Sequence, residues 1–268
     1  MDSFFPLEKL KPTNLVQSIE RASSILDVLG KNPQGISVKE VSAQVSLPKG
    51  TTHRLLSSLA YFGYVQHNAK TRHYSLGFKL VELGNLLLSQ LDLRTEAKPF
   101  LTDLSKMTQE TVHLVVLDKN EVLYIDKVES NDNTSSLRMA SRVGSRTPAH
   151  SCAVGKVLIA HLSEGELEEF IKGTGLPKMT ENTITDPTQL KENLKLVRSQ
   201  GYVVDDEENE KGIRCVAAPI RNEIGIVVAA TSISGPAIRI TRKRIKETLK
   251  NEIKDTSLKI SRKLGFTQ

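Results

Sequence analysis

LPKGTTHRLLSSLAYFGYV, residues Leu47–Val65, decides the fold. It reads as a short turn, then a helix, then the start of an extended segment. Leu55, Leu56, Leu59 and Phe62 recur at helical spacing and form an apolar side. The opposite side of the helix start carries Lys49, Gly50, Thr51, Thr52, His53 and Arg54. Short, polar and basic residues at the beginning of a helix are the set that reaches base edges in a major groove.

Working outward toward the N-terminus, Ser37 is expected to cap a second helix, with Glu40 at the capping-box position and Val38, Val41 and Val45 inward. Before it, Val16, Ile19, Ala22, Ile25, Leu26 and Leu29 predict a first helix, capped by Asn14 or Ser18 and stopped by Gly30 and Pro33. Residues 1–13 read as a mobile arm. On the other side, Gly63 ends the central helix and Tyr64-Val65-Gln66 begins a strand. His67 to Arg72 form a polar tip, and His73-Tyr74-Ser75-Leu76 return. Three helices followed by a β-ribbon is the order of a winged helix-turn-helix, expected over residues 14–76. Candidate DNA contacts are Ser37, Lys49, Gly50, Thr51, Thr52, His53 and Arg54, with Lys70 and Arg72 in the wing.

Charge supports this reading. The chain of 268 residues carries a net charge of +6, and no Asp or Glu lies between Val41 and Val81. Residues 1–91 hold 10 basic and 6 acidic side chains, so two thirds of the excess falls in the first third of the chain, as a phosphate-facing surface requires. Apolar content of 38% with 25% charged residues describes a globular protein long enough for two domains. No apolar run approaches the roughly 20 residues of a membrane span, and the N-terminus lacks a signal-peptide core. Two cysteines give no disulfide framework, so a reducing cytoplasm is expected.

After the wing, Leu80, Leu83, Leu87 and Leu91, widened by Leu86 and Leu88, predict an apolar linker helix over residues 77–92 that a second copy of the chain would cover. Beyond it, residues 93–268 mix helices and strands without βαβ alternation. That predicts an α+β domain with a largely antiparallel sheet. Expected strands are Thr111–Leu117, Glu121–Ile125, Leu137–Met139, Val203–Val204, Ile213–Ile220 and Ile224–Ile233. Expected helices contain Leu101, Leu104 and Met107, then Ser151 to Leu162, Glu164 to Ile171, Leu190 to Ser199, and finally Ile245, Leu249, Ile253, Ile260 and Leu264.

No glycine pattern here fits a phosphate loop, and Cys152, Cys215, His113, His150 and His161 lack metal-ligand spacing, so neither cofactor nor metal is expected. Amides near Ser151 to Val154, the acids from Asp205, and Ser232 with Ser234 on one strand face could form a pocket for a small hydroxy or keto acid. A solvated loop explains Asp205 to Glu210 equally well. A thiol enzyme using Cys152 at a helix start with His150 nearby is a rival reading, and a sensor module without DNA function is another.

TTHRLLSSLAYFGYV, YSLGFKLVELG, GKVLIA, GYVVDDEENEKGIRCVAAPI and SISGP occur in one order over nearly the whole chain. Together they resemble the IclR family of bacterial transcription regulators. The resemblance implies an N-terminal winged helix, a linker helix, a C-terminal GAF-like effector domain, and homodimers or homotetramers on palindromic double-stranded DNA. It also carries the effector-binding positions onto Ala153, Val154, Asp205, Ile213, Cys215, Ser232 and Ser234, with Met139 and Thr147 alongside. Val154 departs from the Gly-Ala turn of members that bind glyoxylate or pyruvate, which reshapes the pocket. ETVHLVVLD, LRMASRVG and AVGKVL are similar to regulators of sugar-acid catabolism that respond to 2-keto-3-deoxygluconate. The expectation is a homo-oligomeric regulator, more specifically a repressor, whose operator binding is controlled by a small organic acid that changes the spacing of two winged helices.

Overall fold

The computed structural model describes residues 14–89, 92–129 and 141–267. The chain falls into two compact units that meet in sequence between Leu91 and Asp92.

The first unit runs α1 (Gln17–Gly30), β1 (Ile36–Ser37), α2 (Val38–Gln44), α3 (Lys49–Tyr61), β2 (Val65–Asn68), β3 (His73–Leu76) and α4 (Lys79–Ser89). The capping box is present: Ser37 Oγ accepts from the Glu40 amide and the Ser37 amide donates to the Glu40 carboxylate at 2.8 Å. Ile25, Leu29, Val41, Leu56, Val65 and Tyr74 make the core. Gly77 closes the base of the wing. Its amide donates to Tyr64 O at 2.8 Å, and a Cβ there would run into the Gly63 carbonyl.

Several expectations fail locally. Val16 occupies the N-cap of α1 with no side-chain bond, so neither Asn14 nor Ser18 caps it, and Val16 and Ile19 are exposed. Phe62 is also exposed, at 64%. The inward stripe of α3 passes through Thr52, Leu56 and Leu59, and Phe62 is the C-cap, past the last helical residue Tyr61, where the chain turns away. Ile36 and Ser37 pair with Tyr74 and His73, making the wing a three-stranded sheet of order β1-β3-β2.

The second unit contains α5 (Asp92–Thr108), β4 (Thr111–Asp118), β5 (Glu121–Val128), β6 (Arg146–Pro148), α6 (Ala153–Ile159), α7 (Glu164–Thr174), α8 (Pro187–Gln200), β7 (Val203–Asp206), β8 (Ile213–Arg221), β9 (Val227–Pro236), α9 (Arg242–Arg244) and α10 (Lys250–Lys263). A π-helical turn, Ile245–Leu249, joins the last two. Six strands form one antiparallel sheet of order β6-β5-β4-β9-β8-β7. Period-two alternation splits the core into two layers. Val216, Ala218, Ala229 and Ile233 pack with Leu101, Leu104, Ile253 and Ile260 of α5 and α10. Their neighbours Ala217 and Ala230 pack with Val157, Leu190 and Leu194 of α6 and α8.

Here too boundaries move. Met107 is exposed, because α5 turns it away from the sheet. β9 begins at Val227, and Ile224 and Ile226 are exposed in a turn around Gly225, which has φ +82°. Extended backbone at Cys152 (φ −124°, ψ 152°) breaks the expected long helix into a 3₁₀ turn, Ala149–Ser151, and the short α6. β6 was not anticipated, and the expected strand at Leu137–Met139 lies outside the described residues.

Candidate functional site

In the second unit the sheet face toward α6 is apolar through Ala217 and Ala230 and then turns polar. Alternation along β9 puts Ser232 and Ser234 on that face, and along β8 Cys215 and Ile213. Antiparallel register sets Cys215 opposite both Asp205 and Ser234, and Ser232 opposite His113. Tyr124 of β5 and Thr147 of β6 extend the row, Arg146 borders it, and Ala153 and Val154 at the start of α6 face it. These side chains, with Ser141, Ser145, Cys152, Asn209 and Glu210, enclose a cavity of about 180 Å³. That is below the roughly 300–1,000 Å³ of pockets for drug-sized ligands and suits a small metabolite.

The fold therefore brings together Thr147, Ala153, Val154, Asp205, Ile213, Cys215, Ser232 and Ser234; Met139 lies outside the described residues. His113, Tyr124 and Ser141 were not anticipated as lining residues; Ser145, Arg146, Asn209 and Glu210 lie in stretches considered for the pocket but were not singled out, and Cys152 lines it as well. The signal for His113 was available: it is the one polar side chain inside the apolar run of β4.

Burial dominates the electrostatics. It lowers the His113 imidazole to about 3, with Lys127 adding to the shift, and raises the Tyr124 phenol. It pushes the Cys152 thiol up to about 12 and the Cys215 thiol well above its ordinary value. It also raises Asp205 to about 7. Each of these groups is moved toward its uncharged form, so the interior is polar but nearly neutral. Arg146 is turned aside, donating to the Asp118 carbonyl at 3.0 Å and to its carboxylate.

The loop after β7 is pinned from beneath. Lys156, fully buried on α6, donates to Glu208. The Glu208 amide donates to Asp205 Oδ1 at 2.7 Å, and its carbonyl accepts from Thr183 Oγ1 at 2.7 Å. Asn209 Oδ1 accepts from the hydroxyls of Thr147 and Ser151, both at 3.0 Å. Asp205, Asn209 and Glu210 thus line the pocket, and Glu208 anchors the loop between them through Lys156. The thiol-enzyme reading fails on the same geometry. His150 points its Nε2 at the Pro177 carbonyl, 2.9 Å away, and Cys152 Sγ faces the Pro148 carbonyl. Among the described residues no base is hydrogen-bonded to the thiol, and burial raises its pKa where a nucleophile needs it lowered.

In the first unit, Lys49, Gly50, His53 and Arg54 are exposed and Thr51 is half-buried along the start of α3. Thr52 is buried, with its hydroxyl donating to Pro48 O at 3.2 Å, so it faces the core and not a groove. Ser37 is half-buried and its hydroxyl is engaged with Glu40. The first helical bond of α3 runs from the Thr52 amide to Pro48 O, and Pro48 supplies no side-chain cap. The amides before it have no helical acceptor and face outward with the positive end of the helix dipole. In the wing, Asn68 Oδ1 accepts from the Lys70 and Thr71 amides at 2.9 and 3.2 Å. This Asx turn presents Lys70 and Arg72, both exposed, on either side of Thr71.

An exposed basic helix start with a wing, encoded with a sheet domain enclosing a small polar cavity, defines the class of DNA-binding regulators that carry their own sensor domain. Comparison with known proteins agrees. Residues 18–69 match the IclR helix-turn-helix domain and residues 85–262 the domain described as bacterial transcriptional regulator IclR C-terminal. The chain is 38% identical to the HTH-type transcriptional regulator XynR of Escherichia coli over 94% of its length and 98% of XynR's. It is also 38% identical to the E. coli HTH-type transcriptional regulator KdgR, over 96% of this chain and 95% of that one. The crystal structure of the Thermotoga maritima IclR superposes with a TM-score of 0.76 at 39% identity, covering 93% of this chain and 99% of the other. The chain belongs to the IclR family of DNA-binding transcriptional regulators.

Proposed function

We propose that this regulator is a repressor whose hold on DNA is released by a small sugar acid or keto acid bound in the cavity of the second unit. The observation that carries the proposal is the cavity itself: about 180 Å³, walled by the hydroxyls of Ser232, Ser234 and Thr147, the Asp205 carboxyl and the first residues of α6. Hydroxyls and an acid that is half-protonated near neutrality suit a polyhydroxy or keto chain. The E. coli proteins named transcriptional repressor IclR and HTH-type transcriptional repressor AllR, each 35% identical, favour the repressor sense. In this reading residues 14–76 bind DNA, residues 77–92 link, and residues 93–268 sense. Lys49, Gly50, Thr51, His53 and Arg54 face base edges, while Lys70 and Arg72 meet phosphates. Exposed Val81 and Leu83 on α4 offer a contact to a second copy, giving a homodimer or homotetramer matched to a palindromic operator.

A thermal-shift panel of keto and sugar acids tests the pocket. A ligand at about 100 times its Kd adds about 2.7 kcal/mol to the unit that holds it. No stabilisation by any small acid would remove the reading.

A further inference from the structure

His113 is buried at the centre of the sheet, with its backbone carbonyl accepting from Thr231 Oγ1 at 2.9 Å. Both ring nitrogens have hydroxyl partners. Nε2 lies 2.9 Å from Ser141 Oγ and Nδ1 lies 3.4 Å from Ser232 Oγ. Ser232 Oγ is in turn 3.1 Å from Ser234 Oγ, and Ser234 is a hydrogen-bond partner of Cys215. All of these side chains line the one cavity.

A neutral imidazole owns one N–H and one lone pair, so this chain has two self-consistent directions. With the proton on Nδ1, the ring donates to Ser232, Ser232 donates to Ser234, and Ser234 donates into the cavity. With the proton on Nε2, the ring donates to Ser141, Nδ1 accepts from Ser232, Ser232 accepts from Ser234, and Ser234 accepts from the cavity. The first suits a ligand oxygen that only accepts, such as a ketone. The second suits a ligand hydroxyl that donates. No formal charge is created in either, because burial holds the ring unprotonated across the physiological range.

We propose that His113 is a specificity-determining residue of the effector pocket: by changing tautomer it reverses the Ser141–His113–Ser232–Ser234 chain and lets one wall accept either a keto or a hydroxyl group. This rests on the pocket reading above and adds the class of oxygen it recognises. Without the ring, Ser232 loses its inner acceptor and the serine pair can readily only donate outward. A His113→Phe variant therefore discriminates against hydroxyl ligands.

The test uses two matched probe pairs, pyruvate with lactate and 2-ketogluconate with gluconate, on the full-length protein. Thermal shift and calorimetry give affinities. Ring nitrogen NMR on histidine-labelled wild type, with six histidines in the chain and His113→Asn to assign the signal, gives the tautomer. The expected result is a His113 ring protonated on Nδ1 with a keto probe and shifted toward Nε2–H with its hydroxy counterpart. His113→Phe should weaken the hydroxy probe about tenfold more than the keto probe, the effect of one hydrogen bond worth about 1.4 kcal/mol. His113→Asn, which keeps a polar group near Ser232, should recover part of that. Identical ring signals in both complexes, or equal weakening of both probes, would overturn the proposal while leaving the pocket in place. Failure of all four probes to bind wild type would remove the pocket reading and this proposal together. The NMR arm reads the wild-type ring and needs only His113→Asn, for assignment, so a misfolded His113→Phe does not protect the idea.

Discussion

Lys156→Met is the sharpest perturbation of the pocket's foundation. The Lys156 side chain has no exposed surface, and both carboxylate oxygens of Glu208, itself buried, accept from its ammonium. Methionine fills nearly the same volume, so the change removes one charge and little packing. Glu208 is then left as a buried carboxylate without a counter-charge. Breaking a buried pair in this way costs about 3–5 kcal/mol, whereas replacing both partners with apolar residues is often neutral. For a unit of this size each kcal/mol moves the midpoint by about 2–4 °C. Lys156→Met should therefore lower the melting temperature of the sensor unit by roughly 6–20 °C, and Lys156→Met with Glu208→Leu should regain most of it. The loop that Glu208 anchors also carries Asp205 and Asn209, so ligand stabilisation should fall in the single variant. Thermal melts and denaturant curves of the three proteins measure this. A single variant within about 1 kcal/mol of wild type, or a double variant no better than the single, would refute the reasoning.

Four further outcomes follow from particular residues. Asp205 has its pKa raised from 3.8 to about 7. Its stabilising contribution is therefore complete below about pH 4 and is lost as pH rises to about 7. Denaturant midpoints of wild type should fall over that window relative to Asp205→Asn, and parallel pH profiles would contradict this. Gly155→Ala places a Cβ against the Ala149 carbonyl, which backbone must move to relieve. A loss of about 1–3 kcal/mol in a denaturation curve is expected, and a neutral result would mean α6 is not held so close to the 3₁₀ turn. Arg54→Ala should cost about 1–3 kcal/mol on the operator and relax sequence preference. Arg72→Ala should weaken all DNA similarly and flatten the salt dependence by about one unit. Equal losses on operator and random DNA for Arg54→Ala would reassign that residue to phosphate contact.

The first unit was legible because its signals are local. The Ser37–Glu40 box, Gly63 and the wing tip each determine backbone within a few residues. What failed there was rotational detail: a sequence shows that Thr52 and Phe62 flank a helix stripe, but only the observed packing shows Thr52 turned in and Phe62 turned out. The pocket was half legible. Ser232 and Ser234 declare a common face by spacing alone, the acids from Asp205 were visible as a candidate wall, and the resemblance singled out Asp205 and added Ile213 and Cys215. His113 stands out as a polar residue in an apolar run, but its place beside Ser232 comes from the β4–β9 register, which links residues more than 100 positions apart, and Tyr124 and Arg146 enter through strands β5 and β6. The thiol reading erred for a related reason. Helix-start chemistry lowers a thiol pKa only when the sulfur is not buried, and burial of Cys152 reverses the sign.

The central claim is that the cavity of the second unit controls DNA binding by the first. Fluorescence anisotropy on the chain's own upstream DNA, with and without an acid that scores in the thermal-shift panel, measures it directly in wild type and in Ser232→Ala/Ser234→Ala. The acid should weaken wild-type binding by about 5–150-fold, the usual range of allosteric coupling, and the double variant should hold DNA normally but no longer respond. An unchanged affinity in wild type, or the same response in the variant, would contradict it.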